Sequence, residues 1–338
     1  MNSQSITNDG QAPSVSVIIP NWNGKHHLQV CLESLDRQSY RHFEIILVDN
    51  NSTDGSQAYV REHFPEVVLV ELEENLGFTG ACIAGYEASN GEYIILLNND
   101  TETDPDWLSE IIGAFNRQPR TGIVASKMML FDRRDFFHTA GDYYRIDGIP
   151  GNRGVWEKDQ GQYEKEEAVF SACGGAAAYS RSMVEEIGFL DDRFYFSCED
   201  VDMGWRAHLA NWQVKYVPTA VVYHKLKSSA GNATASYYDG RNFLYLIWKN
   251  YPGSLLRRYW PIILRAQLGI TWKALKNWRG AAARARLRGQ LAGLLGLFKM
   301  LPERRRIQES RRLADDSLTA TLTPVDESPQ GSYDHPTN

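Results

Sequence analysis

The sequence predicts an α/β fold in which a mostly parallel sheet carries helices on both faces. Short apolar segments, rich in β-branched and aromatic residues, alternate four times with segments of helical character. Each of these apolar segments is followed by a polar turn that contains Asp or Asn. Because parallel strands present their carboxyl ends at one edge of a sheet, we expect the turns to converge there and form a ligand site.

The strands and helices of the first half of the chain are predicted as follows. Strands are predicted over Val15–Pro20, Phe43–Val48, Val67–Glu71 and Tyr93–Leu97. The helix after the first strand has apolar residues at positions i, i+3, i+4 and i+7, which are Leu28, Cys31, Leu32 and Leu35. Further helices are expected up to about Phe64, over Thr79–Ser89, and from Asp104-Pro105 to about Asn116.

The fourth strand has the clearest functional signal. Tyr93–Leu97 has no polar residue and is too short for an independent helix, so it fits a strand buried on both faces. Asn98-Asn99-Asp100 follows directly. A carboxylate at such a strand end suits a hard divalent cation that also binds a nucleotide diphosphate. A plain surface turn is the alternative, since Asn and Asp are common in turns.

The second half of the chain has a looser pattern. Strands are predicted over Ile123–Met129, Gln213–Val217 and Ala220–Tyr223. Residues 131–167 are expected to form an irregular or β-hairpin acceptor region. Ala172–Ala178 has almost no side chains, which suits either close packing or a backbone that approaches a sugar. Glu199, Asp200 and Asp202 are expected around a helix N-terminus, where the macrodipole favours acids.

The sequence lacks the signature motifs of several protein classes. No Gly-x-Gly-x-x-Gly turn follows the first strand and no Gly-Lys-Ser/Thr loop occurs, as dinucleotide oxidoreductases and P-loop nucleotidases would require. The polar residues 1–14 contain no signal-peptide hydrophobic segment, and no apolar run reaches about 18 residues, so no membrane-spanning helix is expected. Reduced thiols in a cytosol are expected at Cys31, Cys82, Cys173 and Cys198.

Charge is segregated along the chain. Between Arg257 and Arg312, fifteen Lys and Arg residues are opposed only by Glu303 and Glu309, so this segment carries +13 in a chain of net charge −6. One helical face of the segment contains Leu264, Leu268, Trp272 and Leu275. Such cationic, amphipathic helices suit an anionic membrane interface. Packing on the catalytic core or in a homodimer is the alternative, and no nucleic-acid motif accompanies the charge.

Six short stretches together resemble glycosyltransferase family 2, which consists of inverting enzymes with the GT-A nucleotide-sugar fold. They are Val17–Asn23, Val48–Gly55, Asn75–Phe78, Leu97–Asp100, Glu199–Asp202 and Tyr223-His224, and they span about residues 15–250. Other motifs look like the rhamnosyltransferases of cell-surface polysaccharide assembly. These motifs are Asn21-Trp22-Asn23-Gly24, Asn98-Asn99-Asp100, and Tyr237-Tyr238-x-x-Arg241-Asn242 before Lys249-Asn250-x-Pro252.

The resemblance implies roles for individual residues. Asp100 would bind Mg²⁺ or Mn²⁺, and Asp200 would be the general base, with Glu199 as its rival. His224 would complete the metal sphere or touch a phosphate, with a structural role as the alternative. Donor-binding roles are implied for Pro20, Asn21, Asn23, Asp49, Asn51, Asp54, Asn75, Gly77, Asn99 and Arg241. The acceptor is expected at Gly174, Gly175, Glu199 and Trp205. The family often has Asp-x-Asp where this chain has Asn98-Asn99-Asp100, so waters and donor phosphates would supply much of the metal coordination.

The expected activity is transfer of a sugar from a nucleotide diphosphate-sugar, with dTDP-rhamnose as a candidate, to a hydroxyl of a lipid-linked or cell-surface glycan. Direct displacement inverts the anomeric centre and needs one base but no enzyme nucleophile. The expected location is cytoplasmic and peripheral, on the inner face of the cytoplasmic membrane. An inactive nucleotide-sugar-binding or membrane scaffold is the alternative. A sugar nucleotidyltransferase would need a Gly-rich basic loop after the first strand, which is absent.

The domain organisation follows from these assignments. We expect a disordered leader at 1–13, a donor-binding half at 14–120, an acceptor and catalytic half at 121–252, a basic helical region at 253–312, and a disordered tail at 313–338.

Overall fold

The protein is represented by a computed structural model that describes residues 14–225 and 232–327. The predicted leader at 1–13 and the last part of the predicted tail, residues 328–338, lie outside the described residues.

A mixed sheet is the centre of the part of the chain before Asn232. The strands are β1 (Val15–Asn21), β2 (Phe43–Asp49), β3 (Val68–Glu71), β4 (Tyr93–Leu97), β5 (Thr101–Thr103), β6 (Thr121–Leu130), β7 (Phe137–Thr139), β8 (Asp142–Tyr144), β9 (Pro150–Asn152), β10 (Glu167–Ala168), β11 (Ala176–Ser180) and β12 (Gln213–His224). Within the described residues, ten of these strands form one sheet, while β8 and β9 form a separate hairpin.

The four predicted strands are confirmed as a parallel unit with the order β4-β1-β2-β3. The chain runs from β1 outward to β3 and then returns to β4 on the opposite side of β1. This reversal is a topological switch point, where open α/β sheets bind ligands outside their carboxyl ends. Asn21 at the end of β1 and Asn99 after β4 meet there, since Asn99 Nδ2 donates to Asn21 Oδ1 at 2.7 Å.

The rest of the sheet contains antiparallel pairs. β11 lies between β4 and β6 and is antiparallel to both, whereas β6 and β12 are parallel. The Ala residues of β11 are buried, so this part of the small-residue segment serves close packing. The two strands predicted over 213–223 form the single strand β12, which ends at His224 and pairs with β5 just after Asp100.

Helices surround the sheet and continue beyond it. They are α1 (Lys25–Asp36), α2 (Ser56–His63), α3 (Gly77–Glu87), α4 (Trp107–Arg117), α5 (Arg181–Ile187), α6 (Glu199–Leu209), α7 (Asn232–Asn250), α8 (Gly253–Lys276), α9 (Ala281–Gly296), α10 (Leu301–Glu309) and α11 (Asp315–Thr319). Val17 and Ile19 of β1 belong to one buried apolar cluster and Ile18 to another. Because strand side chains alternate, these clusters cover opposite sheet faces.

The basic region packs on α7 through its helix α9. A Cβ atom on Gly289 would lie 2.0 Å from the Tyr237 carbonyl oxygen, and one on Gly296 would lie 2.1 Å from the Tyr245 hydroxyl. Glycine therefore lets α9 approach the backbone of α7 closely. Among the residues described here, no helix combines the length and the apolar character that crossing a membrane requires.

The prediction of a disordered tail is wrong for residues 313–327. Leu318 of α11 is fully buried and Leu322 is 5% exposed. Thr323 is also held by backbone bonds, because its N–H donates to the Tyr144 carbonyl and its carbonyl accepts from the Ile146 N–H. The Asp- and Thr-rich composition concealed two leucines that insert into the apolar cluster formed with α6 and α7.

Candidate active site

A cavity of about 560 Å³ lies at the switch point between β1 and β4. Six predicted donor-binding residues line it, namely Pro20, Asn21, Asn23, Asn75, Gly77 and Asn99. The amide groups of the Asn residues and the apolar ring of Pro20 are therefore combined in one wall. Such a wall suits a polar aromatic ligand such as a nucleobase with its ribose. We call this space the donor cavity.

Asp49 supports the wall of the donor cavity from behind. Its side chain is buried, with Oδ1 accepting from Asn21 Nδ2 at 3.1 Å. Its Oδ2 accepts from the Ser52 N–H at 2.9 Å and from Gln57 Nε2 at 2.7 Å. Asp49 thereby fixes the end of β1 to the loop after β2.

Asn23, Asn51 and Asp54, which were also predicted to bind the donor, make contacts that hold the loops after β1 and β2 in shape. Asn23 and Asn51 have φ values of 52° and 64°, in the left-handed region that Asn tolerates better than most residues. Asn23 Oδ1 accepts from the Thr53 N–H at 2.8 Å. Asp54 accepts from the N–H groups of Lys25 and Ser56 at 2.8 and 3.0 Å. Asn51 and Asp54 do not line the donor cavity, so their contacts support the loop conformation.

His27 is a residue of the donor cavity that the sequence analysis missed. It is 8% exposed, and neither ring nitrogen has a hydrogen-bond partner among the described residues. Burial and the neighbouring His26 ring lower the pKa of His27, so the imidazole is neutral at neutral pH. Its position in the first turn of α1, directly after the Asn-Trp-Asn-Gly turn, was the available signal.

Asp100 and His224 meet at the carboxyl ends of β4 and β12. His224 Nε2 lies 3.0 Å from Asp100 Oδ1 and 3.2 Å from Asn98 Nδ2, and all three groups are at least partly buried. His138 approaches from β7, with its Nδ1 at 3.1 Å from His224 Nδ1. Burial and His224 lower the pKa of His138 to about 3, so this second imidazole is neutral.

Asp100 and His224 supply some of the ligands that a divalent cation needs. A carboxylate oxygen and a neutral imidazole nitrogen are suitable ligands for Mn²⁺, and the carboxylate also suits Mg²⁺. No group of three or more His, Cys, Asp or Glu side chains fit to hold a metal ion occurs in the described ranges 14–225 and 232–327. A cation held here would therefore take further oxygen ligands from a bound diphosphate or from water.

A second cavity, of about 540 Å³, adjoins the donor cavity. Phe78, Asn98 and Phe196 line both spaces. Four residues predicted for the acceptor side or for catalysis line the second cavity, namely Gly174, Gly175, Glu199 and Asp200. We call it the acceptor cavity, and its shared wall means that ligands in the two spaces would be neighbours.

Asp200 is held at the start of α6 with both carboxylate oxygens occupied. Oδ2 accepts from the Gly174 N–H at 2.8 Å and Oδ1 from the Val201 N–H at 2.7 Å. Burial raises the pKa of Asp200, although these two N–H groups oppose the shift. Burial and the adjacent Asp200 raise the pKa of Glu199 well above the ordinary range. Asp200 is therefore the better candidate for a carboxylate base at neutral pH.

Asp142 is another buried acid of the acceptor cavity that no motif indicated. Its Oδ1 accepts from Asn152 Nδ2 at 2.8 Å and from Thr139 Oγ1 at 3.0 Å. Burial and Asp200 raise the pKa of Asp142 well above the usual range. It lies in the segment 131–167, for which an acceptor role was predicted without naming residues.

The loop before Asp200 has an unusual backbone. Tyr195, Ser197 and Cys198 have φ values of 61°, 68° and 70°, which non-glycine residues adopt rarely. Asn242 Nδ2 donates to the carbonyls of Phe194, Phe196 and Ser197, at 3.1, 2.9 and 2.7 Å. Such conformations persist where surrounding contacts determine them.

The donor-binding role predicted for Arg241 does not fit its position. Its Nη2 donates to the carbonyls of Arg193 and Phe194 at 2.8 and 2.7 Å, and it lines neither the donor nor the acceptor cavity. The contacts of Arg241 and Asn242 explain their motif as a support for the loop that carries Asp200.

The acceptor role predicted for Trp205 is wrong. The indole is fully buried in α6, with ring centroids of Tyr144 and Tyr251 at 5.1 and 4.8 Å. A side chain without solvent access cannot contact a glycan, so Trp205 serves the packing of α6. Its proximity to Asp200 in sequence was misleading, because five positions along a helix change the exposed face.

Comparisons with known proteins agree with this geometry. The family model described as "Glycosyl transferase family 2" matches residues 16–188. The O-antigen biosynthesis protein RfbC of Myxococcus xanthus is 30% identical over 232 residues, which cover 65% of this chain but 18% of that protein. An N-acetylglucosaminyl-diphospho-decaprenol L-rhamnosyltransferase of Mycobacterium tuberculosis is 28% identical over 238 residues, covering 62% of this chain and 76% of the relative.

Solved structures show the same fold. The mannosyltransferase PcManGT from Pyrobaculum calidifontis, in complex with GDP-Man and Mn²⁺, has a TM-score of 0.53 and 18% identity over 92% of this chain and 86% of that one. GalNAc-T7 with UDP, GalNAc and Mn²⁺ has a TM-score of 0.57 and 16% identity, covering 71% of this chain and 48% of that one. The fold is therefore of the GT-A type, and the chain is a transferase that belongs to glycosyltransferase family 2.

Proposed function

We propose that the protein transfers a sugar, with inversion at C1, from a nucleotide diphosphate-sugar to a hydroxyl of a lipid-linked glycan that serves cell-surface polysaccharide assembly. One observation carries this proposal. Asp200 lines an acceptor cavity that shares Asn98 with the donor cavity, and Asn98 also contacts His224 beside Asp100. A base, a candidate cation site and a nucleotide-sized space are thus adjacent.

The donor proposal rests on the residues of the donor cavity and on one relative. Asn21, Asn50 and Asn75 line the donor cavity, and the bonds from Asn21 to Asp49 and from Asn50 to Asn75 fix this polar wall, against which a base and ribose would lie. The name of the mycobacterial relative specifies L-rhamnose transfer. We therefore propose dTDP-rhamnose as the first donor to test.

The proposed chemistry needs one carboxylate from the enzyme. Asp200 would accept the proton of the attacking hydroxyl, and the N–H groups of Gly174 and Val201 would hold its carboxylate in place. Asp100 and His224 would hold Mg²⁺ or Mn²⁺, which when bound supplies Lewis-acid stabilisation of the leaving diphosphate. Attack from the opposite face of the sugar inverts C1, since no enzyme nucleophile takes part.

The proposed acceptor is presented at a membrane surface. The mycobacterial relative is named for a diphospho-decaprenol acceptor. Large apolar side chains on and just after α8 are between 46% and 60% exposed, namely Trp260, Leu264, Leu268, Trp272, Leu275 and Trp278. Together with the charge of +13 between Arg257 and Arg312, they support peripheral binding to an anionic membrane, proposed as the inner face of the cytoplasmic membrane.

A donor screen tests the function directly. The full-length protein would be incubated with dTDP-rhamnose, UDP-glucose, UDP-galactose and UDP-N-acetylglucosamine, each with a polyprenyl-diphosphate-linked acceptor and with or without Mn²⁺. We expect turnover with one donor, dependence on the cation, and an inverted anomeric configuration in the product by NMR. Binding of the nucleotides without turnover of any donor would favour an inactive scaffold.

A further inference from the structure

A third cavity, of about 760 Å³, lies between α7, α8 and α9, outside the donor and acceptor cavities. Its wall combines apolar and cationic side chains. The apolar wall includes Ile149, Phe243, Ile262 and Ile270. The cations are Arg145, Arg265, Lys273 and Arg286, and Asp147 is the one acid among the described residues that line it. We call this space the basic groove.

The basic groove is continuous with the acceptor cavity. Ser236, Ala282 and Arg286 line both spaces. The donor cavity, the acceptor cavity and the basic groove therefore form a series, with Asp200 in the middle space. A long ligand whose end lies beside Asp200 would extend into the basic groove.

The cations of the groove differ in their contacts. Arg145 pairs with Asp147, and Arg286 Nη2 lies 3.1 Å from Asp239 Oδ2. Asp239 also accepts from Ser197 Oγ at 2.7 Å, in the loop before Asp200. Arg286 is thus fixed where the groove meets the acceptor cavity.

The cations on α8 have a different setting. Arg265 and Lys273 line the groove from α8, and both are solvent-exposed. Ile262 and Ile270 lie among them on the same helix. The groove therefore offers positive charge and apolar surface within one space.

We propose that the basic groove binds the diphosphate and the first isoprene units of a polyprenyl-diphosphate-linked acceptor. Arg286, Arg265 and Lys273 contact the phosphates, because cations bind phosphate oxygens by charge-assisted hydrogen bonds. Ile262 and Ile270 contact the hydrocarbon. A free phosphate would use only the charge and a neutral lipid only the apolar wall. This inference rests on the proposed function, since it places the acceptor sugar beside Asp200.

Calorimetric titration of the full-length protein with farnesyl diphosphate, without vesicles, tests the proposal. The test variant is Arg265→Gln/Lys273→Gln, and the control is Arg257→Gln/Arg258→Gln, which removes the same charge from the same helix at positions that do not line the groove. We expect the test variant to weaken binding about tenfold and the control to change it less than about twofold. Inorganic pyrophosphate should bind wild type at least about tenfold more weakly, because it lacks the apolar part.

A second variant blocks the groove without changing charge. Gly269 lines the groove and a Cβ atom there would meet nothing within 4 Å, so Gly269→Leu should fill space while favouring the helix. Gly253→Leu, at the start of the same helix and also in open space, is the matched control. We expect Gly269→Leu to weaken farnesyl diphosphate binding about tenfold, and the control to leave it unchanged.

Two results would overturn the proposal, namely wild-type binding of farnesyl diphosphate by both test variants, or pyrophosphate binding as tight as that of farnesyl diphosphate. Titration of the same preparations with UDP and dTDP reports on the donor cavity separately. If the wild-type protein bound farnesyl diphosphate but neither UDP nor dTDP, the proposed function alone would be contradicted. Intact transfer to a soluble acceptor without selective farnesyl diphosphate binding would contradict the groove alone.

Discussion

Lys249 Nζ lies 2.8 Å from Asp202 Oδ2, and both side chains are almost completely buried. The same ammonium is 2.6 Å from Asp191 Oδ2. Asn250 Nδ2 donates to the other oxygen of Asp202 at 2.9 Å. Asp202 stands two residues after Asp200 in the first turn of α6, so this buried network links α7 to the helix that carries the proposed base.

The first prediction concerns the stability of this network. Lys249→Met removes the cation and leaves two buried carboxylates with less compensation, so we expect the free energy of unfolding to fall by about 3–5 kcal/mol. Lys276→Met, at an exposed position in the last turn of α8, should change it by less than about 0.5 kcal/mol. Urea denaturation followed by circular dichroism measures both. Equal stability of the Lys249 variant and wild type would show that the pair is not stabilising.

The second prediction concerns the pH dependence of the same network. Although burial opposes ionisation, Lys249 and neighbouring arginines hold the pKa of Asp191 and of Asp202 below the ordinary carboxyl range. Their contribution to stability is therefore fully present above the unfolded-state pKa of about 3.9 and is lost as the pH falls toward the lower folded-state values.

The stability difference between wild type and Lys249→Met should consequently be constant near neutral pH and shrink below about pH 4, because the lost interaction matters less once the carboxylates are protonated. Urea titrations between pH 3 and pH 7 measure the difference. A gap that stayed constant down to pH 3 would contradict the assigned ion pairs.

The third prediction concerns the proposed cation site. Asp100→Asn removes the carboxylate beside His224, so Mn²⁺ binding in the presence of UDP should weaken by more than about tenfold in calorimetric titration. His224→Ala should also weaken it, and unchanged metal dependence in that variant would remove the ligand role of His224. His63→Gln, at an exposed position on α2, is the control and should bind Mn²⁺ as wild type does.

The fourth prediction concerns the exposed apolar side chains of α8. Replacing Leu268 and Trp272 by Ser removes two side chains that are 58% and 60% exposed, so co-sedimentation with anionic vesicles should weaken about tenfold or more. Trp156→Ser, at an indole 40% exposed in the catalytic part, is the control. Undiminished sedimentation of the double variant would contradict the membrane role. Point substitutions are preferable to truncation near Pro252, since α9 packs closely on α7.

The first half of the fold was predictable because its signals are local. The segment Tyr93–Leu97 is apolar and ends at a polar turn. An apolar run followed by a polar turn identifies a buried strand and the position of its end. Asn21 and Asn99 could therefore be assigned to one sheet edge, and the donor cavity confirms that they meet.

The remaining features depend on contacts that are distant in the sequence. His138 and Asp142 reach the site from β7 and β8, in a segment without a motif, and β7 takes its position by pairing with β6 of the central sheet. Arg241 and Trp205 lie close to motif residues, but the direction of a side chain depends on which helix face packs. Leu318 fills the apolar cluster of α6 and α7 despite its polar neighbours, which composition alone does not reveal.

The most direct measurement compares Asp200→Asn with wild type in steady-state transfer and in nucleotide binding. We expect kcat to fall by about 10²–10⁴-fold, because the acceptor hydroxyl loses its base, while the Kd for UDP or dTDP changes less than about twofold. Glu199→Gln is the control for the rival base, and it should keep kcat within about tenfold of wild type, because burial and the adjacent Asp200 raise the pKa of Glu199 and disfavour the charged form that a base requires. Near-wild-type transfer by Asp200→Asn with intact nucleotide binding would contradict the assignment of Asp200 as the base.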